Sequence, residues 1–134
     1  MENEKLQELA SLIFPDLADG DTVEMLEEKF PPRNLPEGAK VTRMAPSPTG
    51  SMHLGNLYGA LADERVAHAG GDGVFMLRIE DTDDKREVPG AVEKIIKYLG
   101  GFGLGFDEGA LADGDMGDYG PYRQRSRAKI YHIV

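Results

Sequence analysis

The chain has 134 residues, with 24 Asp/Glu against 15 Lys/Arg and a formal net charge of −9, a length that allows one modest core and so one domain. It has no cysteine, which excludes disulfides and thiolate metal sites and agrees with a reducing cytoplasm. No apolar run approaches the length that spans a bilayer, and the acidic start MENEKLQE is unlike a signal or transit peptide, so a cytoplasmic protein is expected.

Residues 1–38 form a separate unit by composition, holding ten Asp/Glu and three Lys/Arg, a balance of −7, against −2 for residues 39–134. Leu6, Leu9, Leu12 and Ile13 recur at helical spacing from about Glu2, and Pro15 stops that helix. Asp21 with Glu24 three residues on is a capping-box-like start for a second short helix through Val23, Met25, Leu26 and Phe30, ended by Pro31-Pro32. The expectation is a helical amino-terminal extension, 1–38, that serves as a contact for a macromolecular partner or as a lid packed on the domain at 39–134.

Lys40 to Met44 alternates enough to be a strand, Pro46 and Pro48 stiffen its exit, and Gly50 permits an unusual backbone. His53 stands just before an apolar run that reads as a helix, so His53 and Asn56, three apart, share a face of its first turn. Both can donate hydrogen bonds, at a place where unpaired amide N–H groups and the positive helix end favour anions. Gly55 lacks a Cβ, so a flat adenine or ribose can lie against the backbone. The turn from Ser47 through Pro48, Thr49 and Gly50 to His53, Gly55 and Asn56 is an ATP site in outline.

Leu54, Leu57, Tyr58, Leu61, Ala62, Arg65 and Val66 carry a period of 3.6, and Gly70-Gly71 ends that helix. Val74 to Ile79 suits a buried parallel strand. A further helix fits Pro89 to Leu99, with Val92, Ile95, Ile96 and Leu99 on one face and Gly100-Gly101 closing it; Phe102 to Gly120, rich in glycine and aspartate, is expected as loop. Arg123 to Lys129 opens a last helix and makes the end of the chain locally basic, as a solvated face or an RNA contact. The fold class is therefore α/β: the first half of a Rossmann-like parallel sheet with a phosphate site at its first turn.

The block Glu80-Asp81-Thr82-Asp83-Asp84 invites a metal, but an EF-hand loop would want an acid or amide at 85 and glycine at 86, where Lys85 and Arg86 stand, so calcium is rejected. The block instead follows the carboxyl end of a parallel strand, where open α/β sheets bind ligands. There Glu80 can pair with an ammonium, and Arg43, at the end of the first strand, can grip a carboxylate with two hydrogen bonds. Taken singly, Arg43 also fits a surface strand residue, Ser47 a turn residue, and Glu80 a partner of Arg78.

RMAPSPTG, the HLGN that follows it at 53–56, and LRIEDTD at 77–83 together resemble the class I aminoacyl-tRNA synthetases, and within them the glutamyl-tRNA synthetases. HLGN stands where that family of HIGH-type nucleotidyl transferases has its signature; Asn56 replaces the usual Gly, Thr or His, and still donates to phosphate. The resemblance covers about Val41 to Tyr131. It implies that Arg43 reads the γ-carboxylate of glutamate, that the Ala45 backbone and Ser47 hydroxyl complete the amino-acid site, and that Glu80 pairs with the ammonium. The RIEDTD string favours glutamate over glutamine, whose branch typically carries an aspartate at the Glu80 position.

The implied activity is ATP-dependent activation of L-glutamate and its transfer to tRNA(Glu), with Mg²⁺ entering on ATP and no protein-bound metal. His53 and Asn56 would donate to phosphate oxygens, and no general base is needed. His68 and His132 have no comparable setting and are expected as surface or core residues. No KMSKS-type loop or anticodon-binding part is present, so the chain is expected to be the amino-terminal piece of a monomeric enzyme whose tRNA contacts lie mostly elsewhere. An exposed edge of the half-sheet could pair two copies. The alternatives are an enzyme that charges a queuosine base of tRNA, a small nucleotidyltransferase using HxGx, and a nucleotide-binding module without catalysis.

Overall fold

The computed structural model describes residues 2–13 and 22–133. It divides into two compact units, Met1–Pro31 with Arg127–Val134, and Pro32–Ser126.

The first unit contains α1 (Glu2–Ile13) and α2 (Val23–Lys29). The helical spacing of the leucines in α1 holds, and the stripe is open: Leu6, Leu9, Leu12 and Ile13 are 60%, 52%, 75% and 59% exposed. Thr22 caps α2, its hydroxyl accepting the Met25 N–H at 3.4 Å. The expected cap, Asp21, and the stop at Pro15 lie outside the described residues.

The second unit carries the sheet. Its strands are β1 (Val41–Met44), β2 (Val74–Leu77), β3 (Glu108–Ala110) and β4 (Asp115–Met116), in the spatial order β1-β2-β3-β4. β1 and β2 are parallel, from Val41 opposite Val74 to Met44 opposite Leu77; β3 runs parallel to β2 and β4 antiparallel to β3. Helices α3 (Leu54–His68) and α4 (Ala91–Gly101) make the two crossovers. Phe75, Leu77 and Ile79 on and after β2 are fully buried, together with Ile95, Leu99 and Tyr122, as expected of a strand covered on both faces. In α4, Val92, Ile95 and Leu99 form the buried face read from the spacing, each contributing about 1.5–3 kcal/mol by leaving water.

Two expectations are corrected. In α3 the large apolar residues mark the core face only in part: Leu57 packs against the core, but Leu54, Tyr58 and Val66 are 77%, 74% and 53% exposed, and the buried residues are Ala60 and Ala67. Alanines let the helix backbone approach the sheet, and the Thr42 hydroxyl of β1 donates to the Asp63 carbonyl at 2.8 Å. The segment Phe102–Gly120 is not all loop, since β3 and β4 lie within it. β3 reads Glu-Gly-Ala, yet all three residues are buried. Gly109 has φ +144°, and a Cβ there would stand 2.4 Å from the Leu77 carbonyl oxygen, so the close pairing of β3 with β2 needs glycine. Glu108 is buried because Arg33 donates to both its carboxylate oxygens and stacks 3.8 Å from the centroid of the Tyr119 ring. The final basic run begins as extended backbone, with Arg123 opposite Ile79, before a 3-10 turn at Arg125–Arg127 and α5 (Ala128–Ile133).

His68, at the end of α3, lies between two carboxylates, Nδ1 3.0 Å from Glu64 and Nε2 2.8 Å from Asp107. The same Asp107 oxygen accepts the Phe75 N–H at 2.7 Å, and Glu64 also pairs with Arg65. The hydrogen bond to Glu64, followed by that to Asp107, raises the His68 pKa above 6.5. The side chain of His132 lies outside the described set.

Gly109→Ala is expected to lower the unfolding free energy by about 2–4 kcal/mol through backbone strain and overpacking, while Gly100→Ala, with open space at its Cβ, stays within about 1 kcal/mol of the parent; urea unfolding measures both. Because the folded pKa of His68 is raised, its stabilising pairs are fully present below about pH 6.5 and are lost as pH rises through the folded value. Urea midpoints should therefore fall above that pH in the parent and vary less in His68→Gln.

Candidate functional site

β1 ends at Met44, but its pairing with β2 continues. The Arg78 N–H donates to the Met44 carbonyl at 3.0 Å and the Glu80 N–H to the Pro46 carbonyl at 3.0 Å; further on, the Val88 N–H donates to the Pro48 carbonyl at 2.9 Å. Proline has no N–H to offer, but its carbonyl is a full acceptor, and acceptors are what this side of the segment supplies. Pro46 and Pro48 are buried, while Ser47 and Gly50 are exposed and Ala45 and Thr49 half-buried. The prolines thus anchor the segment and leave the intervening residues for a ligand.

Glu80 is held from its other side as well, since the Ile79 N–H donates to the Tyr122 carbonyl and the Gln124 N–H to the Ile79 carbonyl, both at 2.9 Å. Its carboxylate lies 3.5 Å from the Arg78 guanidinium, so the expected alternative partner is present. At that distance and partial exposure the pair is weak, and Glu80 keeps acceptor capacity. Arg43 is exposed, and its guanidinium has no ion pair among the described residues. Register carried on from Met44–Leu77 sets Ser47 level with Glu80 and Arg43 four residues back, roughly 13 Å along the strand at about 3.3 Å per residue. The long arginine side chain and a bound amino acid would bridge that span.

α3 begins beside these residues in sequence. His53 is its N-cap, in an extended conformation, and the His53 carbonyl accepts the Asn56 and Leu57 N–H groups at 3.0 and 3.3 Å. The Asn56 side-chain oxygen accepts the His53 N–H at 3.1 Å. The first turn holds no acidic residue, so the positive helix end is uncompensated there. A Cβ on Gly55 would come within 3.1 Å of both Nδ1 and Cε1 of the His53 ring; glycine lets the ring lie close over the first turn. A cleft of about 500 Å³ beside Gly50–Met52, lined also by Val88, Ala91, Lys94, Ile95 and Tyr98, keeps the preceding loop open to solvent.

The acidic block is engaged by arginines. Buried Asp81 accepts the Arg125 backbone N–H at 2.9 Å, and the Arg125 guanidinium bonds the Asp81 carbonyl and Asp84 and lies 3.7 Å from Glu87. Asp83 pairs with Arg86 at 2.6 Å, which holds its carboxyl below the usual range. Arg123 donates to the Leu111 carbonyl. Arg123 and Arg125 of the basic run therefore serve the fold, which the local charge count could not indicate. The sequence places Asp81 in the acidic block and Arg125 in the basic run, but carries no signal that the two pair.

The model of the tRNA synthetases class I (E and Q), catalytic domain, matches residues 40–134. The glutamate–tRNA ligase of Acetivibrio thermocellus is 59% identical over 129 residues, 96% of this chain and 23% of that protein, and the one from Clostridium perfringens strain 13 is 52% identical over 93% of this chain and 22% of that protein. The chain thus spans under a quarter of the length of these curated relatives. Among solved structures, the glutamate–tRNA synthetase of Elizabethkingia anophelis superposes with a TM-score of 0.61 at 47% identity, over 70% of this chain and 18% of that one. A glutamate–tRNA ligase of Elizabethkingia meningosepticum, solved in complex with its amino acid, gives 0.60 at 48% identity, over 72% of this chain and 18% of that one. With its Rossmann-like parallel sheet and both signature blocks joined at the strand ends, this chain belongs to the class I (E and Q) tRNA synthetase catalytic-domain family.

Proposed function

We propose that this chain forms the nucleotide- and amino-acid-binding part of an enzyme that activates L-glutamate with ATP and transfers it to tRNA(Glu). The observation that carries this is the Glu80 N–H to Pro46 carbonyl bond. It ties the two signature blocks at the carboxyl ends of adjacent parallel strands, where a carboxylate and an unpaired guanidinium can address opposite ends of one zwitterion. Arg43 takes the γ-carboxylate, Glu80 the ammonium, and the Ala45 backbone and Ser47 hydroxyl the remaining polar atoms. ATP, as its Mg²⁺ complex, lies along Ser47, Pro48, Thr49 and Gly50 to His53, Gly55 and Asn56.

The chemistry is positioning and electrostatics. The glutamate α-carboxylate attacks the α-phosphorus in line, pyrophosphate leaves, and the acyl group then passes to the terminal ribose of tRNA. His53 donates to phosphate oxygens as charge develops, next to the free positive end of α3. No covalent protein intermediate is needed. The engagement of Arg123 and Arg125 within the fold supports tRNA contacts outside residues 39–134. Residues 1–38 are an extension to the catalytic unit, and the setting is a monomer in the cytoplasm; among the described residues no helix is long and apolar enough to cross a membrane.

In the full-length protein, tRNA-dependent ATP–pyrophosphate exchange is expected with glutamate and not with glutamine. His53→Ala should lower kcat by about 10²–10³, the scale of one lost charge-stabilising donor, and Arg43→Ala should raise KM for glutamate by about 10²-fold or more, as for a broken charge pair. Exchange with no amino acid, or equal exchange with glutamine, would overturn the reading. Gly55→Ala should leave thermal stability unchanged or raised by up to about 1 kcal/mol, yet shift the His53 ring resonances and lower kcat, because the added methyl displaces the ring.

A further inference from the structure

Asn56 has two chemical faces, an amide nitrogen that could donate to phosphate and a carbonyl oxygen that accepts. The oxygen is already committed. It receives the His53 backbone N–H at 3.1 Å, while the Asn56 N–H returns to the His53 carbonyl at 3.0 Å. The Asn56 oxygen on the His53 N–H is the half of a capping box that the third helical position supplies. It follows from helix geometry, since side chains in a first turn lean back toward the N-terminus and so toward the capping residue. The amide orientation is dictated, because only the oxygen can meet an N–H.

The consequence falls on His53. As N-cap it sits outside the helix with φ −115° and ψ 170°, and its own N–H lies beyond the helical ladder. Without the Asn56 oxygen nothing in the first turn would hold that peptide. With it, the backbone of His53 is fixed at both its N–H and its carbonyl, and the ring settles over Gly55, which has no Cβ to push it away.

Resting on the function proposed above, we infer that Asn56 is a positioning residue: its side-chain oxygen holds His53 in the orientation from which the ring addresses the phosphate.

Hydrogen exchange of the His53 amide and a double-mutant cycle test this together. In the full-length protein, Asn56→Ala should speed exchange at the His53 amide about fivefold, the loss of one capping hydrogen bond, while Asn56→Asp, which keeps the acceptor and loses the donor, should retain the parent rate. In the full-length protein, Asn56→Ala should lower kcat for ATP–pyrophosphate exchange about fivefold with little change in KM for ATP, and should cost less than twofold when His53 is already alanine. Unchanged amide exchange in Asn56→Ala, or costs that multiply in the double variant, would overturn the proposal and make Asn56 an independent phosphate donor. If the parent shows no exchange with any amino acid, the functional reading itself falls, a result distinct from an active parent with multiplicative costs.

Discussion

Everything at the site depends on parallel pairing that outlasts the strands. β1 has only four regular residues, yet the carbonyls of Met44, Pro46 and Pro48 continue to receive N–H groups from the chain following β2. Two prolines in a strand exit would ordinarily end a ladder, because each removes a donor. Here the partner supplies the donors and the prolines supply only acceptors, so their rigid φ becomes an advantage. The residues between them, Ala45, Ser47 and Thr49, stand at a fixed level beside Glu80, and α3 starts from a constrained point.

Arginine–carboxylate pairing organises what lies around that ladder. Arg33 brings the segment before β1 onto Glu108 of β3, and Arg125 brings the segment after Tyr122 onto Asp81 and Asp84. Both arginines make several bonds at once, the geometry the planar guanidinium suits better than an ammonium. The acid excess of the chain is thus partly a supply of acceptors. The Asp81 contact pins the residue next to Glu80 to backbone that also pairs with Ile79.

The elements that were legible owe this to bulk. The spacing Val92, Ile95, Leu99 identified the α4 core face because large side chains must leave water, and β2 was visible as an apolar run for the same reason. α3 was legible as a helix but only partly in its orientation: its buried residues are Ala60 and Ala67, whose small size gave no apolar signal. β3 was invisible, because a Glu-Gly-Ala strand has neither β-propensity nor alternation. Its burial comes from Arg33 and from the room that Gly109 leaves for Leu77.

The amino-acid order by itself determined the chemistry on offer: an arginine and a glutamate at the exits of two strands, and a histidine, glycine and asparagine in one helical turn. These follow from residue type and from spacings of a few positions, which local geometry obeys whatever surrounds it. Only the tertiary structure decided which groups remain available. Among the described residues Arg43 has no ion pair, Arg123 and Arg125 are consumed by the fold, Glu80 shares itself weakly with Arg78, and the Asn56 oxygen turns to His53. Such choices are competitions between partners, most of them distant in the chain. Their outcome depends on burial and on hydrogen bonds that exist only once the strands have paired.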